Sequence, residues 1–172
     1  MTKAEEILQL EALLSQEGRE LLDRLGGIDV NPHTALRVGA ELRREFPAKL
    51  VIAALTQHEL RLRARTKFTR AMRMFFTRRG LEQASSETAA RHRARRYTGA
   101  QKVADLCAGI GGDLIALAGG RAVLAADLDP LHLRMARLNA EVYEVAEGVV
   151  CAQADVRDVP LAGYDAVFID PA

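Results

Sequence analysis

The sequence predicts an α/β protein in two parts: an N-terminal helical domain over residues 1–97, then a partial, doubly wound parallel sheet over residues 98–172. Three observations predict this. Through the first part apolar residues recur near the helical period. Beyond Thr98-Gly99 short apolar runs, each ending at Gly or Asp, alternate with helix-like segments, the pattern of right-handed β-α-β crossovers. Hydrophobic residues are 49% and charged residues 27% of 172, which suits one large core or two small ones and excludes a disordered chain.

In the first part, Ile7, Leu10, Leu13, Leu14, Leu21, Leu22 and Leu25 predict one amphipathic helix over residues 3–25, stopped by Gly26-Gly27. Asn31-Pro32 reads as an N-cap followed by proline at the first helical position. The helix it opens points Leu36, Ala40, Leu42 and Phe46 inward. Pro47 starts another helix, which holds the run Leu50–Leu55 and turns Arg-rich from Arg61. Phe68, Met72, Phe75 and Phe76 predict a further helix over Thr66–Arg79, broken at Gly80, and Ser85-Ser86-Glu87 caps a last short one. In the second part, strands are expected over Lys102–Cys107, Arg121–Ala126, Gly148–Gln153 and Tyr164–Ile169. Helices are expected over Asp113–Ala118 and from Leu131 to Val145, the latter capped by Asp129-Pro130.

Several function classes drop out. Leu50–Leu55 is the longest apolar stretch and is far too short to cross a bilayer. The start Met1–Glu6 lacks the basic-then-apolar shape of a signal peptide, so a cytoplasmic location is expected. Cys107 and Cys151 cannot make a disulfide framework or a four-cysteine zinc site, and both read as small core residues. The four histidines show no metal-ligand spacing, and no metal is expected.

The near-neutral net charge of +1 hides a strong asymmetry. Residues 58–96 hold 12 basic and 3 acidic side chains, whereas residues 97–172 hold 5 basic and 11 acidic. Arginine presents a planar fork suited to phosphate, so segment 58–96 reads either as an RNA- or DNA-facing surface or as a solvated helix face paired to the acidic part.

The most informative stretch is Val103–Asp113, where a strand turns into a helix through Gly109, Gly111 and Gly112. Glycines let a ligand approach the backbone, and the helix start offers unpaired N–H groups. A dinucleotide turn would need a third glycine where Leu114 stands. Asp105 and Asp113 would also repel a diphosphate, so a zwitterionic ligand with an amino group fits better. Asp127 ends the second strand, 18 residues beyond Gly109, where a carboxylate can accept from both hydroxyls of an unphosphorylated ribose. After the third strand, Asp155 can accept from an adenine amine and the Val156 N–H can donate to the ring. Taken singly, each aspartate is also readable as a loop or cap residue; their order on successive strand ends points to a site.

On these residues the chain resembles the class I S-adenosylmethionine-dependent methyltransferases, whose Rossmann-like fold would supply only its first four strands here. Asp105–Asp113 matches the first motif of that family, Asp127 its ribose-binding acid and Asp155 its adenine-side acid. The fourth strand ends in Asp170-Pro171-Ala172, which resembles the Asp-Pro-Pro-aromatic motif of enzymes that methylate base amino groups. Asp105–Asp113, followed by Ala126–Pro130 and Leu138–Tyr143, resembles the trimethylguanosine-synthase-like group, and the whole chain is similar to the N-terminal part of bacterial methyltransferases with a THUMP-like domain. The resemblance implies S-adenosylmethionine as cofactor, held by Asp105, Cys107, Gly109, Gly111, Gly112, Asp127, Asp155 and Val156. It implies Asp170 and Pro171 at the reacting amine, and RNA as partner through segment 58–96. Ala172 replaces the second proline and the aromatic position is missing, so the reading is of a truncated chain carrying the cofactor half. The competing readings are a nucleic-acid-binding module with the sheet as scaffold, and a nicotinamide-dependent oxidoreductase.

Overall fold

The computed structural model describes residues 2–31 and 33–171. It divides into two compact units, Met1–Leu62 and Arg63–Ala172. The division falls inside a helix, well before the expected boundary at residue 97, because residues 63–97 pack with the sheet: Ala94 and Tyr97 join one of its hydrophobic clusters.

In the first unit the expected single helix over 3–25 is two, α1 (Lys3–Leu14) and α2 (Gln16–Gly26). Ser15 breaks it with an extended backbone (φ −60°, ψ 165°), and its hydroxyl accepts from the Gly18 amide at 3.1 Å. Gly18 allows the tight turn, since a Cβ there would stand 2.2 Å from the Ala12 carbonyl oxygen. Leu10, Leu13, Leu21, Leu22 and Leu25 are buried as the periodicity requires. Asn31 does cap a turn, its Oδ1 accepting from His33 and Thr34 amides, while the Pro32 half of that expectation lies outside the described residues. Helix α3 (Ala35–Leu42) follows, with Leu36 85% exposed and Ala40 also outward, against expectation. The buried stripe runs instead through Val38, Gly39 and Leu42, with Gly39 tight against the Leu55 side chain. Helix α4 spans Ala48–Ala64.

In the second unit the expected helix over Thr66–Arg79 does not form: before Arg78 there is only a single 3-10 turn at Ala71–Arg73, and Gly80, expected to break it, lies inside the helix that starts at Arg78. Backbone groups ahead of Arg78 are claimed from elsewhere. The Thr69 amide donates to Glu87, the Arg70 amide to the Tyr143 hydroxyl, and the Phe75 amide and carbonyl both bond to the Asn139 side chain. Phe68, Phe75 and Phe76 are buried all the same. Helix α5 (Arg78–Gln83) is capped by Thr77, and α6 (Glu87–Ala94) by Ser86, as the serine pair predicts.

The sheet holds β1 (Lys102–Leu106), β2 (Ala122–Asp127), β3 (Val149–Gln153) and β4 (Ala166–Ile169), all parallel, in the order β3-β2-β1-β4. This is a four-stranded parallel, Rossmann-like sheet behind a helical N-terminal region. The chain moves outward from β1 to β3, then returns to the other side of β1, so a switch point lies between β1 and β4. One face packs Val103, Val123, Val149 and Phe168 against α7 (Leu114–Leu117), α8 (Pro130–Val142) and Ala94 of α6. The other packs Ala104, Leu106, Leu124 and Ala126 under Val156, Val159 and Tyr164 of the β3–β4 connection. Asp129 caps α8 with Pro130 at its first position, as expected. Cys151 is exposed rather than a core residue, because β3 is an edge strand. Among the described residues no helix is long and apolar enough to cross a membrane.

Candidate functional site

All the sequence-predicted acids stand at the carboxyl end of this sheet. Asp105 lies near the end of β1 on the helical face, in register with Phe168, and is 1% exposed. Neither of its oxygens has a hydrogen-bond partner. Burial pushes its carboxyl well above the ordinary range, and the charges of Asp113, Asp127 and Asp170 push the same way.

Just beyond β1, Cys107 is half-buried and adopts φ 69°, a left-handed conformation that the strand reading does not foresee. Burial raises its thiol pKa, aided by Asp127, Asp105, Asp170 and Asp155. Carboxylates at the ends of all four strands contribute to this shift. A thiol pKa moved upward is the opposite of what an activated cysteine nucleophile needs.

The glycines divide. A Cβ on Gly109 (φ 53°) would meet nothing within 4 Å, and its amide donates to Asp127 Oδ2 at 2.8 Å. Gly109 is therefore the position where a ligand can reach the backbone. Gly111 (φ 90°) is a packing glycine, its Cβ position 3.1 Å from Ala136 Cα on α8, and Gly112 is pressed against Ala84 and Ser85. Gly112 also lines a groove of about 240 Å³ on the helical face with Phe68, Ile115 and Tyr143, a groove that holds none of the four strand-end acids.

Asp127 is fixed at both oxygens, Oδ2 by the Gly109 amide and Oδ1 by the Asp129 amide at 2.9 Å. Ionised, it keeps lone pairs for a further donor. Asp155 caps the 3-10 turn Val156–Asp158 and holds Arg157 in a fork, with contacts of 2.9 and 2.6 Å that bring its pKa down to about 2. Val156 packs on the Leu106 face of the sheet. Asp170 and Pro171 are exposed just past β4. Asp113 is not presented to a ligand: Arg93 of α6 grips it at 2.7 to 2.9 Å, also donates to Ser85, and lies 5.8 Å from the centre of the Phe168 ring.

Two groups of residues escape the sequence reading. Asn139, fully buried on α8, receives the Phe75 amide at 2.8 Å and donates to the carbonyls of Phe75 at 3.0 Å and Ile110 at 2.9 Å. It ties the glycine turn to the segment before α5. The available signal was a polar residue in the stripe Ala136, Asn139, Ala140. The second group is basic. Lys67 donates to the Leu81, Glu82 and Ala84 carbonyls at the end of α5, Arg70 to Val142 at the end of α8, and Arg91 pairs with Glu87. Part of the Arg-rich segment is thus built into the fold, satisfying helix ends.

Residues 100–169 match the family model described as RNA cap guanine-N2 methyltransferase, and residues 6–64 match a domain of unknown function, DUF8688. Among solved structures, a "putative methyltransferase" from Porphyromonas gingivalis superposes with a TM-score of 0.65 and 27% identity over 74% of this chain. The match covers 34% of that protein, so the chain spans about a third of its length. An RNA methyltransferase from Salinibacter ruber in complex with S-adenosyl-L-homocysteine superposes with a TM-score of 0.43 and 23% identity over 47% of this chain and 56% of its own.

Proposed function

We propose that residues 63–172 carry the cofactor-binding part of an S-adenosylmethionine-dependent methyltransferase whose substrate is a base amino group in RNA. The observation that carries this reading is Asp105: a carboxyl group buried without a partner costs free energy unless a donor arrives to meet it. A ligand ammonium group would do so, and its charge would restore the ionised form that burial disfavours. The match of residues 100–169 to the guanine-N2 methyltransferase model supports the substrate class.

The residues fit that cofactor. Asp105 would receive the amino end, Gly109 would lie against the ligand backbone with no side chain between, and Asp127, already oriented by two amides, would accept the ribose hydroxyls. Asp155 and Val156 would border the adenine, with Arg157 sharing the Asp155 carboxylate. The bound cofactor supplies an electrophilic methyl group on a sulfonium. Asp170 would accept an N–H of the base amine, orient its lone pair toward the cofactor side of the site, and take the proton that the amine gives up on methylation. Pro171 would fix the backbone at that point. An exocyclic amine in structured RNA must be unstacked to reach such a site.

Titration calorimetry with S-adenosylhomocysteine tests the cofactor claim. Saturable binding by the chain that falls at least tenfold in Asp127→Ala is expected. RNA binding that survives Asp127→Ala, with no response to the nucleoside in either protein, would favour a scaffold-type nucleic-acid module and overturn the proposal.

A further inference from the structure

We infer that the RNA backbone is gripped at the site by Arg78 and Arg79, and not by the Arg-rich segment as a whole. The inference rests on the function proposed above and narrows it.

The sheet unit has two ends, and the exposed pairs Arg78-Arg79 and Arg95-Arg96 lie at different ones. The backbone after Arg70 runs beside α8, from Val142 at its end to His132 in its first turn, with Asn139 holding Phe75 on the way. Thr77 Oγ1 reaches His132 Nε2 at 3.0 Å, next to the Asp129 cap that follows Asp127. Gly80 then abuts the glycine turn so closely that a Cβ there would stand 2.5 Å from Ile110 Cγ2. Arg78 and Arg79, both exposed, lie between these two anchors. Their backbone is therefore fixed on the wall formed by Ile110, the neighbour of Gly109.

Arg95 and Arg96 are exposed too, but at the other end. The chain passes Gly112 at Ala84 and Ser85, continues through α6 and ends in a 3-10 turn, Arg95–Tyr97, where the Tyr97 carbonyl accepts from Arg121 just ahead of β2. That is the amino end of the sheet, a strand length of about 17 Å from the acids.

Electrostatics favours a cationic rim outside the strand-end acids. The strand ends bring the carboxyl groups of Asp127 and Asp170 beside the buried, unpartnered Asp105, with only Asp155 balanced by Arg157, so a phosphate among them would meet carboxyl groups and no spare donor side chain. A strand offering its base to the site must keep its phosphates outside, over a cationic rim. Arginine forks at Arg78 and Arg79 supply that rim with the geometry suited to phosphate. The Thr77 hydroxyl already accepts the Gly80 amide, so the contact lies with the two side chains and not with the helix start.

The test is fluorescence anisotropy of a fluorescein-labelled single-stranded RNA with the full chain across a potassium chloride series. Removing one arginine that neutralises a phosphate of a single strand flattens the slope of log affinity against log salt by about 0.7. Arg78→Ala/Arg79→Ala should flatten it by about 1.4, while Arg95→Ala/Arg96→Ala leaves it unchanged. Both proteins should keep the S-adenosylhomocysteine affinity of the parent chain. Equal flattening in the two double variants, flattening in the second alone, or a pair that governs binding to phosphatidylserine vesicles but not RNA would overturn the inference. Nucleoside binding separates the two claims: if it persists while the rim pair has no effect, the inference alone falls; if it is absent, the function falls first.

Discussion

Replacing Asp105 with Asn keeps the shape of a buried group and removes its charge. Folding raises the Asp105 pKa well above the ordinary carboxylate value, chiefly through burial. The folded protein therefore holds a proton that the unfolded chain releases. Its contribution to stability is full below the ordinary carboxylate pKa and is lost as pH rises toward the folded value. One proton corresponds to about 1.4 kcal/mol per pH unit. Between pH 5 and 7 the parent chain should lose up to about 3 kcal/mol relative to Asp105→Asn, for as long as the pH stays below the folded pKa. That is a large share of the stability of an ordinary domain, about 5–15 kcal/mol. Urea unfolding of both proteins at pH 5, 6 and 7, followed by circular dichroism, isolates this difference because every other titrating group is common to the two. Saturating S-adenosylhomocysteine should shrink it by favouring the ionised carboxylate in the parent and not in the variant. A stability difference that stays constant with pH would mean that Asp105 is ionised in the folded state, and the reasoning from an unpartnered buried carboxyl would fail.

Asn139→Leu should destabilise the sheet unit by about 3 kcal/mol or more, since the Phe75 amide and the Phe75 and Ile110 carbonyls lose a buried partner; hydrogen exchange at the Phe75 amide should accelerate with it. Arg93→Ala leaves Asp113, whose side chain is 11% exposed, without its fork and should cost about 2 kcal/mol in urea unfolding. Arg93→Lys should recover only part of this, because an ammonium cannot reproduce the two-pronged grip. Arg157→Ala should move the Asp155 carboxyl titration upward from about 2 toward its ordinary value, as read by NMR of the side-chain carbon. That group lies at the surface, so its stabilising contribution, present above the ordinary pKa and lost as pH falls toward about 2, should be small.

The parallel sheet and its acidic strand ends were legible because they rest on local rules. Short apolar runs make buried strands, a glycine turn must follow a strand that feeds a helix, and Asp129-Pro130 caps α8 wherever it sits. Ser86 was legible for the same reason. The helix expected over Thr66–Arg79 failed because amphipathic spacing reports which side chains are buried, not how the backbone bonds. Glu87, Tyr143 and Asn139, all distant in sequence, took the groups that a helix would have used. The same contrast runs through the site. Periodicity and motif spacing alone determined that Asp105, Asp127, Asp155 and Asp170 fall at neighbouring strand ends. Only the tertiary structure decided that Asp105 has no partner, that Asp113 belongs to Arg93, and that Gly111 and Gly112 serve packing while Gly109 stays open. The succession of strands along the chain follows from local pattern, whereas their order in the sheet, burial and pairing depend on which segments meet across the fold.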